Sequence, residues 1–257
     1  PPDEVVAQAR ALIANGKKEI VLTGVDLTSY GVDLGEGWTL GRLVRLLLRR
    51  LPELERLRLS SVDCIEIDAD LVEAFAEDSR LCPHLHLSLQ SGDDLILKRM
   101  KRRHSRQSAL EVCRALRKRR PDIIFGADFI VGFPTETDAM FDATLDIVDA
   151  CGLTHLHVFP FSPRPGTPAA RMPQVAPQIA KERAARLRDK ADDALRRHLD
   201  AQTGRMLRLL TERGGTARAA DFTLALTPGA QAGLMIDALC TGHAGRALTT
   251  QVSALDR

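Results

Sequence analysis

HLHLSLQSGDDLILKRMKRR, residues 84–103, is the stretch whose reading decides the fold. Its first half alternates, with Leu85, Leu87 and Leu89 on one side and His84, His86, Ser88 and Gln90 on the other. That period of two predicts a strand with one apolar and one polar face. The strand stops at Gln90-Ser91-Gly92. A helix over about 93–103 follows, its Asp93-Asp94 pair suited to the positive end of a helix dipole. A polar-faced strand that ends in a polar turn and feeds a basic helix points to a barrel strand with a site at its C-terminal end. An ordinary buried strand with satisfied polar groups is the competing reading.

Working outward, strand-like and helix-like segments alternate. Strands are expected at 19–27, 56–63, 84–90, 123–134 and 153–162, and helices between them at 39–50, 68–78, 93–103, 105–120 and 138–151. This is the βα rhythm of a parallel sheet or barrel. Small or polar residues recur at the strand ends: Thr23-Gly24, Ser60-Ser61, Gln90-Ser91, Gly132 and Ser162. In a parallel barrel those ends share one rim, so a ligand site is expected there. The bland alternative is Ser and Gly used only as turn formers. The proline-rich 164–177 reads as a connector and 179–199 as a long charged helix. Short apolar runs broken by Gly pairs from Thr203 onward predict a small antiparallel β-barrel. The expected units are therefore 1–177, 178–202 and 203–257.

The 257 residues carry a net charge of +2, but its distribution is uneven. Residues 1–202 balance at 30 basic against 30 acidic, yet within them 98–120 hold eleven Lys or Arg against one acid. A focused patch of this kind fits phosphate, and Lys98, Arg99, Lys101, Arg102 and Arg103 are the candidate RNA contacts. The alternative is a solvated helix end with favourable dipole charges. Five cysteines, Cys64, Cys82, Cys113, Cys151 and Cys240, have neither metal-ligand nor redox spacing. They read as buried thiols in a reducing compartment, and no metal ligand is assigned. No apolar run approaches a membrane span, so the cytoplasm is expected. A helix begins directly at Pro1-Pro2-Asp3-Glu4, with no initiator Met, which reads as a chain entered partway through a domain.

Five ordered blocks resemble the methylthiotransferases of the radical S-adenosylmethionine superfamily. They are EIVLTGVDLTSYGVD (19–33), RLSSVDCIEID (58–68), 84–104, DFIVGFPTET (128–137) and HVFPFSPRPGTPAARMP (157–173). LTGVDLTSYG is similar to the branch acting on threonylcarbamoyladenosine in tRNA. The isopentenyladenosine branch usually has Gln-Asn-Val-Asn there, and the ribosomal-protein branch Gln-Asp-Thr. The C-terminal residues resemble, more distantly, the family's RNA-binding TRAM barrel.

The resemblance implies an α/β fold: a partial parallel barrel of the radical SAM type, its first strand missing, followed by a small TRAM-like β-barrel. It implies S-adenosylmethionine as cofactor, two [4Fe–4S] clusters in the full-length protein, tRNA as partner, and an electron donor for cluster reduction. An adenosyl radical takes hydrogen from adenine C2, and a second S-adenosylmethionine donates a methyl group to the inserted sulfur. The family's Cys-x3-Cys-x2-Cys loop occurs nowhere in this chain, so none of the clusters is expected to be ligated by it, and the chain alone is expected to be inactive. By position, Thr23 and Gly24 would lie near the methionine end of the cofactor. Ser60, Gln90 and Ser91 would bond its ribose or carboxylate. The backbone at Val131 and Gly132, with Phe159 or Phe161, would flank adenine. Three rival readings stand beside this one: another methylthiotransferase branch, a non-catalytic tRNA-binding remnant, and a parallel barrel acting on a phosphorylated metabolite. The last lacks the Gly-rich phosphate loop such barrels use.

Overall fold

The computed structural model describes residues 1–35 and 37–252. After α1 (Pro2–Ala14) the chain runs β1 (Glu19–Leu22), α2 (Leu40–Arg50), β2 (Arg56–Leu59), α3 (Ala69–Glu77), β3 (His84–Gln90) and α4 (Asp94–Arg99). It continues with α5 (Arg106–Arg119), β4 (Ile124–Val131), α6 (Asp138–Cys151) and β5 (Leu153–Pro160). The side chains of Thr39, Asp68, Asp93, Ser105 and Thr137 each accept the N–H three residues on, which fixes where α2 to α6 begin.

Every strand pair here is parallel, β1 with β2 and β3 with β4 with β5. Among the described residues the two groups are joined by the single bridges Leu57 with Leu81 and Val62 with Leu87. β3 spans the expected 84–90, and the other four strands are shorter than expected from sequence. β1 stops at Leu22 and β2 at Leu59, because Ser60 donates back to the Leu22 carbonyl and the chain then turns away. The residues beyond belong to rim loops.

Alternation along the strands sorts the side chains. Leu57, Leu59, Leu85, Leu87, Leu89, Phe125, Phe129 and Val131 are buried in one core beneath the helices. The other face carries Arg56, Arg58, His84, His86, Ser88, Gln90, Gly126, Asp128, His155 and His157. Phe133, Phe141 and α7 (Pro177–Asp200) close the far side. At Gly132, φ is +70° and a Cβ would fall 2.5 Å from Ala180 Cβ, so only glycine lets α7 pack this closely.

The end of α7 supplies Leu195 and Leu199 to a second core. Around it β6 (Met206–Glu212), β7 (Thr216–Ala219), β8 (Leu224–Leu226), β9 (Met235–Ala244) and β10 (Ala247–Val252) close a barrel in the order β10-β8-β7-β6-β9. The expected antiparallel barrel is corrected in one respect: β8 and β10 pair in parallel. The 227–234 loop carries the chain past β8 so that β9 pairs with β6 instead. Residues 253–257 of the expected unit lie outside the described residues.

The barrel docks against the inner face of the sheet. Arg56 donates to the carbonyls of Arg208 and Arg218, and Arg58 to those of Ala219 and Ala220. Glu19 neutralises Arg58 at 2.7 Å. The β7–β8 turn drives Phe222, at φ 74°, against the rings of His84 (5.0 Å between centroids) and His155 (6.3 Å). Burial holds His84 and His155 neutral, pushing His155 down to about 4 and His84 well below its ordinary range. Both histidines take up protons near pH 6.5 once exposed, so docking is fully stabilised above that pH and weakens as pH falls toward about 4. The His155 share is at most about 3 kcal/mol. Urea unfolding between pH 7.5 and 5 should lose stability in the wild type and lose less in a His84→Phe, His155→Phe variant. Equal pH slopes in the two proteins would refute this account.

Candidate functional site at the rim of the sheet

Two backbone outliers shape the rim. Gln90 ends β3 at φ 67°, and Lys101 ends α4 at φ 58°, a left-handed position that usually takes glycine. Lys101 N–H donates to the Lys98 carbonyl and Arg102 N–H to that of Leu97, which closes the helix four residues earlier than the expected 93–103. Such conformations cost about 1–2 kcal/mol in a non-glycine residue. Here they fold the Lys101-Arg102-Arg103 run back over the rim. It faces Gly24, Asp26, Ser61 and Ser88 across a cleft of about 320 Å³.

The positive wall of this cleft is tied down. Arg102 donates to Asp63 at 2.8 Å and to the Ser88 carbonyl at 3.0 Å, and Arg103 pairs with Glu66. Buried His104 bonds the Leu89 carbonyl at 3.0 Å and places Nδ1 3.3 Å from Asp63. Burial alone would raise the Asp63 carboxyl, but His104 and then Arg102 outweigh it and hold it below the usual range. A second cleft, about 450 Å³, opens beside the first between Gln90, Ile130, Phe159, Phe161 and Arg164. Asp128 lies at its floor, and a further hollow lined by Gln90, Lys101, Arg102 and Ile130 joins the two. The rim is thus one polar trough with an aromatic end.

The structure brings Gly24, Gln90, Phe159 and Phe161 to this trough. Thr23 is exposed next to Gly24, and Ser60 is half-buried, its neighbour Ser61 facing the cleft instead. Ser91, Val131 and Gly132 lie elsewhere. Ser91 Oγ is buried against Thr144 and accepts from the Asp93 N–H. The Val131 carbonyl accepts from Phe161 N–H, and Gly132 N–H donates to Glu136. Sequence reasoning reached Ser61 only as part of the Ser60-Ser61 strand end, and missed Asp26, Asp63 and Ser88 at the first cleft and Asp128 with its two histidines at the second. Ser88 was within reach, on the polar face of β3. Asp128 and His157 show only once β4 and β5 are aligned in register with β3.

The basic run is largely engaged within the chain. Arg106 pairs with Asp146, Arg119 with Glu73 and Arg120 with Asp122, while Arg117 donates to the Cys151 carbonyl. Among the described residues no ion pair is formed by Lys98, Lys101, Arg114 or Lys118, and all four are exposed.

A family model described as the radical SAM superfamily matches residues 1–148. The chain belongs to that superfamily. It is 49% identical over 222 residues to the threonylcarbamoyladenosine tRNA methylthiotransferase MtaB of Rickettsia prowazekii, covering 86% of this chain and 53% of that protein. It is 42% identical over 202 residues to MtaB of Thermotoga maritima, covering 78% and 46%. Identity is 38% over 249 residues to a tRNA-2-methylthio-N(6)-dimethylallyladenosine synthase of Parafrankia, covering 96% and 50%. The chain therefore spans about half the length of the curated relatives it matches. Among solved structures, the radical S-adenosylmethionine methyltransferase TsrM of Kitasatospora setae superposes with a TM-score of 0.53 at 18% identity, over 66% of this chain and 33% of that one. Coproporphyrinogen III oxidase (HemN) of Escherichia coli gives 0.52 at 16% identity, over 90% and 58%. At such identities these two speak for the fold alone.

A radical SAM fold implies an iron–sulfur cluster, and the cysteines present do not fit one. All five are free and buried. Cys113 and Cys151 hydrogen-bond each other, whereas burial pushes the Cys64 thiol up to about 12 and that of Cys82 up to about 11. No three cysteines converge among the described residues. Cluster ligands are thiolates. Anaerobic treatment of the chain with iron and sulfide should therefore give no stoichiometric charge-transfer absorption of a cubane cluster; its appearance would contradict this reading of the thiols.

Proposed function

We propose that this chain is the radical S-adenosylmethionine barrel and RNA-facing β-barrel of a tRNA methylthiotransferase acting at C2 of N6-threonylcarbamoyladenosine beside the anticodon. The observation that carries the reading is the 49% identity to the Rickettsia prowazekii methylthiotransferase. The trough at the sheet rim supports it. Its polar wall at Gly24, Ser61 and Ser88 suits the amino-acid and ribose groups of S-adenosylmethionine, and its aromatic end at Phe159 and Phe161 suits adenine. Gln90 stands where the two meet. Bound there, one S-adenosylmethionine would be the source of the adenosyl radical on taking an electron from a cluster that this chain's cysteines do not hold, and a second would be the methyl donor. The chain's own part is to orient the cofactor and to shelter it from water. No cluster chemistry is assigned to the cysteines of this chain.

Transfer RNA would be held by phosphate contacts, and cluster reduction in the full-length protein would need an electron donor. A tRNA substrate and the absence, among the described residues, of a helix long and apolar enough to cross a membrane favour the cytoplasm. Because Arg102 and Arg103 are spent on Asp63 and Glu66, the unpaired Lys98 and Lys101 are the better phosphate ligands.

Two measurements test this. Deleting the gene in its host and analysing digested tRNA by mass spectrometry should abolish 2-methylthio-N6-threonylcarbamoyladenosine and accumulate the unthiolated nucleoside. Unchanged levels of both would end the proposal. In salt-titrated tRNA binding, Lys98→Ala with Lys101→Ala should flatten the log-affinity against log-salt slope by about 1.5. An unaltered slope would move the RNA to another surface.

A further inference from the structure

Two histidines and one aspartate meet on the inner face of the sheet, in a cluster the proposed reaction does not use. His86 Nε2, from β3, lies 3.0 Å from Asp128 Oδ1 on β4. His157 Nδ1, from β5, lies 3.0 Å from the same oxygen. The imidazole centroids are 4.8 Å apart, and the three candidate ligand atoms fall within 4.8 Å of one another. We propose that His86, Asp128 and His157 form a binding site for one divalent transition-metal ion of the zinc, cobalt or iron(II) kind.

Chemistry and placement both support this. Two imidazole nitrogens and a carboxylate oxygen are the donor set of three-ligand zinc sites and of iron(II) sites with open positions. Bonds of about 2.0–2.2 Å to a tetrahedral ion set the donor atoms about 3.4 Å apart. The present 3.0 Å separations need to open by only a few tenths of an ångström. On metal binding each neutral imidazole would carry its single N–H on the ring nitrogen away from Asp128, leaving the lone pairs of His86 Nε2 and His157 Nδ1 for the ion.

The ligands sit on three adjacent hydrogen-bonded strands, where backbone positions are fixed more tightly than on loops. Gly126, two residues before Asp128, makes the room: a Cβ there would come within 2.5 Å of His86 Nδ1. His86 is buried, whereas His157 is open to solvent and Asp128 lines the second cleft, so the fourth position faces the trough. A metal-bound water, or an oxygen or nitrogen of a ligand in the trough, would complete the sphere. The other convergent group, Asp63, Cys64 and His104, is a poorer cage. Arg102 already neutralises its carboxylate at 2.8 Å, and His104 Nε2 is committed to the Leu89 carbonyl.

The test is a titration of the chelator-treated chain with cobalt(II), followed by displacement with zinc. One equivalent should bind at micromolar metal with visible d–d absorption of a low-coordinate site, and zinc should abolish that absorption. His157→Ala, at an exposed position that leaves the core untouched, should weaken binding at least about a hundredfold, the upper end of what mere support of a ligand costs. Asp128→Asn should do the same with an unchanged circular-dichroism spectrum, and Cys64→Ser should bind as the wild type does. No saturable one-to-one binding, or wild-type affinity in His157→Ala, would overturn the site. So would loss of binding in Cys64→Ser alone, which would assign the metal to the other cluster.

Discussion

An open sheet of parallel strands needs partners for the polar groups on its inner face, and the rest of this molecule follows from how they are found. That face carries two arginines, four histidines and an aspartate. Unpaired, any one of these charges or ring nitrogens would cost several kcal/mol to bury. The arginines of the lower half are satisfied from within, whereas both ring nitrogens of His84 and Nε2 of His155 stay buried without a hydrogen-bond partner, against Phe222. Glu19 neutralises Arg58, and the carbonyls at 208 and 218–220 accept from the guanidinium groups of Arg56 and Arg58. Breaking a buried pair such as Arg58 with Glu19 leaves an uncompensated charge, at a cost of about 3–5 kcal/mol. The small barrel is therefore more than an appended module. It closes the lower end of the sheet, and Phe222 fills the space between His84, His155 and Arg58 that side chains of the sheet itself leave open.

The upper half is left for a ligand, and the contrast explains where the site lies. Ser88, Gln90 and the rim loops present polar groups to the trough. Below them the His86, Asp128 and His157 set forms the boundary between the plugged and the open halves. Strain is stored on the same level: the two left-handed residues Gln90 and Lys101 both border the trough. Non-glycine residues keep such conformations where the surroundings over-determine them, and functional rims are where they gather.

Most of the architecture could be read before any coordinate was known, because it rests on local rules. The alternation in 84–90, the capping residues Thr39, Asp68, Asp93, Ser105 and Thr137, and the βα rhythm each specify their own element. What escaped was set by contacts distant in sequence. The sequence puts the ends of β1, β2, β4 and β5 too late because residues beyond them, such as Ser60 and Val62, still make isolated sheet bonds. The placement of Ser91, Val131 and Gly132 at the cofactor follows from the family resemblance, by position at the strand ends. Their polar groups are consumed by Thr144, Phe161 and Glu136, which no period in the sequence announces. The parallel β8–β10 pair is likewise a consequence of how a loop crosses, which apolar spacing does not encode.

Charge gives the most instructive case. Eleven basic residues against one acid over 98–120 read as a phosphate-binding surface. Net charge in a window says how strong a distant field is, but not which side chains remain free to act on a ligand. Five of those eleven sit on carboxylates supplied by 63–73, 122 and 146, and a sixth, Arg117, on carbonyls. Their long-range attraction for a polyanion is therefore largely cancelled by those acids. Their short-range role is to hold α4 and α5 against the rim, which is what gives the trough its fixed wall. An arginine already held in a fork by a carboxylate gains little by exchanging it for phosphate, whereas a solvated lysine gives up only water. The electrostatics that matter for a nucleic-acid partner thus come down to the few exposed cations left over, Lys98, Lys101, Arg114 and Lys118, of which Lys101 lines the trough itself.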